Sequence, residues 1–474
     1  MLFSSNIFLF FFLPGVLFVY YVLFRRSRLL QNCFLFLASL FFYAWGEPKF
    51  VLVMILSIFL NWLLGIAVGN RKAAADTTGA KIFLAIAVVL NLVIIFIFKY
   101  LMFALNNINA LFHTSITVPE IALPIGISFF TFQAISYVVD VYRGTAGQQK
   151  SIINVGLYIS LFPQLIAGPI VRYETIADQI NNRKETLDDF CAGVVRFLIG
   201  LCKKIIIANN VAVVADYAFS AGQDGELSIG MAWLGAIAYT LQIYYDFSGY
   251  SDMAIGLGGM FGFKFLENFN YPYISSSATE FWRRWHMSLG TWFRDYVYIP
   301  LGGSRTKTVS RHIFNLFIVW LCTGIWHGAN WTFILWGLLY FVLLVFEKYS
   351  GFRTWDSAFA KGVKHIYLLF FVIAGWVLFR ADNLAAAADY YCSMFGLSTN
   401  TLSDDSFIEY ITQYAVYLGA GIIFSMPLFP AIRRRFKDSV PYNIGFAAAL
   451  LALFLVAVSF LVKSSYNPFI YFNF

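Results

Sequence analysis

Hydrophobic and polar positions in this 474-residue chain alternate on the scale of whole helices. Apolar runs of about twenty residues, the length that crosses a bilayer's hydrocarbon core, are separated by short turns holding the basic residues. The run from Ser5 to Phe24 closes on Arg25, Arg26 and Arg28; Leu29 to Trp45 returns; Phe50 to Gly69 ends at Arg71, Lys72 and Lys81. Ile82 to Leu105 then leaves, and the loop from Asn106 to Glu120 has no Lys or Arg. Cytoplasmic loops collect Lys and Arg, so this order predicts an external N-terminus and internal basic turns.

The middle of the chain is less regular. Leu123 to Tyr142 leads to Arg143 and Lys150, whereas Val155 to Val171 is interrupted by Pro163, Gly168 and Pro169 and reads as a re-entrant hairpin. Phe190 to Phe219 contains Arg196, Lys203 and Lys204, which places its first half near the cytoplasmic interface. Ile229 to Phe247 is apolar but runs into the polar stretch YYDFSGYSD, and Tyr273 to Pro300 suits short interfacial or re-entrant helices better than a span. Regular spans resume with Ile313 to Trp326, Trp331 to Phe346, Ile366 to Phe379, Phe407 to Phe429 and Ile444 to Val462. Arg433, Arg434, Arg435 and Lys437 form the strongest internal signal. The reading is an all-α polytopic membrane protein, one domain over residues 1–474, with about eleven spans plus re-entrant pieces and both termini outside.

Composition supports this picture. Hydrophobic residues make up 60% of the chain and charged residues 12%, less than half of what a soluble domain carries. The net charge of +8 is scattered through short loops, which excludes a nucleic-acid surface. Cys33, Cys191, Cys202, Cys322 and Cys392 form no Cys-x-x-Cys pair, so neither a disulfide framework nor a metal site is indicated. The first apolar run lacks a preceding basic region and a small-residue cleavage site, and is expected to stay as a span. No internal repeat stands out, which weighs against a transporter.

The candidate chemistry lies between Thr279 and Trp331. His286 and His327, two of the five histidines, stand there among tryptophans. Imidazole exchanges protons near neutral pH, and lipid gives no reason to keep one inside a membrane. A helix from the basic loop to His327 is roughly 22 Å long, shorter than the hydrocarbon core, which would sink His327 and Asn330 below the outer surface. A histidine satisfying backbone groups at a helix turn is an equal reading from spacing alone. Thr323 shares the face of His327, whereas Cys322 is rotated away.

His286 shares helical spacing with Trp282, Trp285 and Leu289, and Glu280 is placed to pair with Arg284. An interfacial aromatic helix explains this pattern as simply as catalysis does. Asp246, Ser248, Tyr250 and Asp252 are cavity-lining candidates, with helix packing the alternative. Ser248 lies in no nucleophile elbow, and Gly256, Gly258, Gly259 and Gly262 suit close helix packing rather than dinucleotide binding. The turn from Pro300 to Arg305 offers a cation for an internal phosphate, or serves as a plain interhelical turn.

These stretches together carry a resemblance. LFSSNIFLFFFLP, FYAWGEPKF, LPIGISFFTFQAISYVVDVYRG, LFPQLIAGPI, YYDFSGYSDMAIGLGGMFGF, FWRRWHMSLGTWFRDYVYIPLGG and GIWHGANW run in order over nearly the whole chain. The chain resembles the membrane-bound O-acyltransferases, in the alginate O-acetyltransferase branch. That resemblance implies a helical domain around a tunnel and transfer of an acetyl group from a cytoplasmic thioester to a hydroxyl of an envelope polysaccharide. Alginate-, peptidoglycan- and cellulose-type polymers all stay open as acceptors. It implies His327 and His286 as the active-site histidines; Trp282, Arg284, Trp326, Asn330 and Arg305 join the donor- or tunnel-lining candidates. It implies no bound cofactor, acetyl-CoA or an acyl carrier protein as donor, and a bacterial inner-membrane location. An extracytoplasmic SGNH-type acetyltransferase is the implied partner. A non-catalytic acyl conduit and an enzyme acylating lipid or protein are the rival readings.

Overall fold

The computed structural model describes residues 1–222, 227–398, 401–463 and 466–470. Among them the regular structure is entirely helical. Seven helices are long and apolar enough to cross a membrane: Val51–Ala73, Thr77–Phe112, Val309–His327, Trp331–Tyr349, Ala358–Arg380, Asp405–Phe424 and Val440–Lys463. Two further apolar helices, Phe8–Leu23 and Arg28–Ala44, are shorter. Large apolar side chains such as Phe11, Leu52, Val416 and Leu455 are exposed on these helices, as a lipid solvent permits. The protein is a multi-pass membrane protein.

The chain divides into two compact units. The first comprises Met1–Phe197 and Ser251–Leu266. Within it the segment expected to be re-entrant is a broken one, with a helix at Ile152–Ser160, a single turn at Phe162–Leu165 and an irregular buried stretch after it. Its glycine cluster serves close packing: a Cβ on Gly256 would stand 2.5 Å from the Gly193 carbonyl oxygen. Gly262, at φ 76°, makes the turn that ends this helix. Asp252 pairs with Arg196 at 2.8 Å.

The second unit comprises Leu198–Tyr250 and Glu267–Phe474. One expectation is corrected here. The helix beginning at Ile229 does not stop at Phe247 but continues to Met260 through the polar stretch. Asp246 within it is neutralised by Lys204 at 2.7 Å, and both side chains are buried in this ion pair. A low-dielectric interior accepts two such charges only as a pair.

The Val309–His327 and Trp331–Tyr349 helices form a closely packed hairpin. A Cβ on Gly337 would meet the Trp320 carbonyl oxygen at 2.5 Å and the Gly324 Cα at 3.1 Å, so only glycine lets the backbones come this close. The Thr308 side chain accepts from Arg311 N and starts the first of these helices ahead of Ile313, its expected start. Its 19 residues then span roughly 28 Å, close to the hydrocarbon thickness. The helix is thus longer than the roughly 22 Å expected for the reach to His327. What encloses it is packing.

Candidate active site

His327 is the last residue of its helix, and Gly328 beyond it is fully extended. Its ring is 6% exposed and is faced edge-on by Trp326, Trp336 and Phe379, with centroids 5.0, 4.9 and 5.1 Å away. Trp336 comes from the second arm of the hairpin and Phe379 from the Ala358–Arg380 helix. The Gly324–Gly337 approach is what brings Trp336 within reach. Thr323 shares this buried side of the helix, its hydroxyl donating to the Val319 carbonyl at 2.7 Å.

Trp282 extends the aromatic cluster, packing on Trp320, Trp336 and Tyr340 at 4.9, 5.5 and 4.8 Å. Aromatic pairs of this geometry contribute about 0.5–1.5 kcal/mol each beyond area burial. The helix bearing Trp282, Ala278–Arg284, starts at Ser277, whose hydroxyl accepts from Glu280 N. Glu280 also pairs with Arg284 at 3.0 Å, as its spacing predicts.

The continuous helical face expected for Trp282, Trp285, His286 and Leu289 is not formed. The helix ends at Arg284, Trp285 is extended, and His286 adopts a left-handed conformation (φ 45°, ψ 52°) before a new helix begins at Met287. The cause is a competing partner. Asn270 N donates to the Arg284 carbonyl and Met287 N to the Asn268 carbonyl, both at 2.9 Å, which draws this stretch out of the helix. Left-handed backbone at a non-glycine residue costs about 1–2 kcal/mol, and such strain concentrates at functional positions.

His286 is 2% exposed, and its ring lies edge-on to Phe247 at 4.6 Å and to Trp326 at 6.1 Å. The two histidines expected at the site therefore flank the same indole. Nδ1 of His286 is 3.2 Å from the Asn268 amide oxygen. Nε2 is buried with no hydrogen-bond partner among the described residues. Burial lowers this imidazole from 6.5 to about 3, so it is neutral at cellular pH.

The remaining candidates divide. Asp246 belongs to the Lys204 pair and also accepts from Ile470 N, while Tyr250 packs on Phe469 at 4.8 Å. The Ser248 hydroxyl is buried without a hydrogen-bond partner among the described residues. Asn330 caps the Trp331–Tyr349 helix and ties down the Asp382 carbonyl. Arg305 is exposed in its loop. Asn268, Ser288, Phe247, Trp336 and Phe379 were missed as site residues. The asparagine and serine give no periodic signal, and the aromatics are indistinguishable in sequence from many others.

Residues 145–387 match the membrane-bound O-acyltransferase family. The chain is 41% identical to a "probable alginate O-acetylase AlgI" of Pseudomonas putida, the alignment covering all of both chains. It is 32% identical to a peptidoglycan O-acetyltransferase of Helicobacter pylori over 100% of this chain and 98% of the relative. Similarity to a teichoic acid D-alanyltransferase of Bacillus subtilis is 28% over 50% of this chain and 61% of the relative.

Proposed function

The chain belongs to the membrane-bound O-acyltransferase family, and from that premise we propose that it acetylates hydroxyls of an exported polysaccharide, using a cytoplasmic thioester as donor. Full-length similarity at 41% to an alginate O-acetylase, against 32% to a peptidoglycan enzyme, favours an alginate-type acceptor. The observation that carries the reading is the pairing of His327 and His286 around Trp326 in a buried aromatic site.

A thioester is already activated, and the chemistry needs a positioned base more than a strong one. His327 takes the proton of the attacking hydroxyl. The hydroxyl oxygen bonds to the thioester carbonyl carbon, the carbon–sulfur bond breaks, and the proton passes to the departing thiolate. The products are an acetyl ester and a free thiol. The aromatic surround limits water, which would otherwise compete for the acetyl group.

In this reading one membrane domain, residues 1–474, lies in a bacterial inner membrane with both termini outside. The shorter apolar helices add to the seven long ones toward about eleven crossings around a tunnel joining the two sides. Acetyl-CoA or an acyl carrier protein supplies the acetyl group from inside, and an SGNH-type acetyltransferase outside either receives it or works alongside. Mass analysis of envelope polymers from a deletion strain tests the proposal. Loss of O-acetyl groups, restored by the wild-type gene, is the expected result; unchanged acetylation of every polymer would overturn it.

A further inference from the structure

Asn268 has no acid–base chemistry, yet its amide oxygen sits where three donors converge. Ser288 reaches it through the backbone N–H at 3.2 Å and the hydroxyl at 2.8 Å, and His286 Nδ1 lies 3.2 Å away. A backbone N–H cannot reverse its role, so the amide must present oxygen here and not its NH2 group. Facing that oxygen, Nδ1 of His286 carries the proton, and the lone pair of the neutral ring is on Nε2. The Ser288 oxygen, 3.5 Å from Nδ1, has its own hydrogen turned to Asn268 and agrees with this assignment. This leaves a buried acceptor without a donor among the described residues, on the residue already held in left-handed backbone.

We propose that Asn268 is a positioning residue that holds His286 as the Nδ1–H tautomer, so that Nε2 meets bound substrate as a hydrogen-bond acceptor only. The inference rests on the acyl-transfer reading above and adds a division of labour to it. The thioester's carbonyl oxygen and sulfur have no hydrogen to offer, so His286 in this form neither stabilises the oxyanion nor protonates the leaving thiolate. It takes an O–H or N–H of the substrate and orients it beside Trp326.

The test uses the full chain in lipid nanodiscs with 15N-labelled histidine. The His286 signals are identified by their loss in His286→Gln. At neutral pH the wild-type protein is expected to show a protonated, pyrrole-type Nδ1 and an unprotonated, pyridine-type Nε2. With acetyl-CoA as the probe donor, Asn268→Leu is expected to lower kcat about ten- to a hundredfold with KM for the donor unchanged. Asn268→Asp, whose carboxylate accepts the same donors, restores turnover. A protonated Nε2 in the wild type, or Asn268→Leu turning over as the wild type does, overturns the proposal. A wild-type chain inactive with acetyl-CoA counts against that donor, while the nitrogen shifts still decide the tautomer.

Discussion

The Glu347 carboxylate accepts hydrogen bonds from both the backbone N–H and the hydroxyl of Thr279, at 3.1 and 2.9 Å. It also accepts from the backbone N–H of Ala278 and is fully buried. A side chain of the Trp331–Tyr349 helix thus caps the N-terminus of the Ala278–Arg284 helix, where the macrodipole favours negative charge. The same two helices contribute Trp336 and Trp282 to the aromatic cluster. Glu347→Ala strips partners from two backbone N–H groups, at about 1–3 kcal/mol for each one left buried. A lower unfolding temperature in detergent is expected, with Glu347→Gln intermediate. An unchanged transition for Glu347→Ala would show the cap to be dispensable.

Glycine at position 337 is required by the backbone beside it, since an added Cβ would stand 2.5 Å from the Trp320 carbonyl. Gly337→Val is expected to separate the hairpin, lose about 1–3 kcal/mol of stability through overpacking and depress acetyl transfer by shifting Trp336 from His327. Gly419→Ala, with nothing within 4 Å of its added Cβ, is the matched control and should match the wild type in both assays.

Lys204 and Asp246 stand or fall as a pair. Lys204→Met leaves Asp246 buried without its counter-charge and is expected to cost about 3–5 kcal/mol. The double variant Lys204→Met with Asp246→Asn removes both charges and should recover part of that loss. Equal unfolding temperatures for the single variant and the wild type would contradict the pairing.

The depressed imidazole of His286 has a consequence for acid stability. The unfolded chain binds a proton below about 6.5, whereas the folded protein resists it down to about 3. Folding stability is therefore lost as pH falls between these values, by about 1.4 kcal/mol per unit. Thermal unfolding followed between pH 7 and pH 5 should show this slope. His286→Gln should flatten it by the same amount, and an unaltered slope in that variant would place the acid sensitivity elsewhere.

Much of the helical frame is legible in the hydrophobic pattern because the lipid imposes it. Val51–Ala73, Trp331–Tyr349 and Asp405–Phe424 begin within about two residues of the expected starts. Both candidate histidines are also conspicuous, each a polar ring in an apolar, tryptophan-rich run. Their surroundings are not. The break at Trp285 has no glycine or proline to announce it and comes from Asn268 and Asn270, which precede it in the chain by more than a dozen positions. Lys204 reads as a charge near an interface, and its burial, like that of Glu347, depends on partners that only the tertiary fold delivers.

In the proposed mechanism the His327 imidazole takes the proton of the attacking hydroxyl. The most direct measurement is acetyl transfer from labelled acetyl-CoA by purified protein in nanodiscs, comparing His327→Ala with Cys322→Ala on the same helix. His327→Ala is expected to lose about a hundredfold or more of kcat, the scale of general-base catalysis, while Cys322→Ala keeps wild-type turnover. Wild-type turnover by a folded His327→Ala protein would exclude His327 as the base.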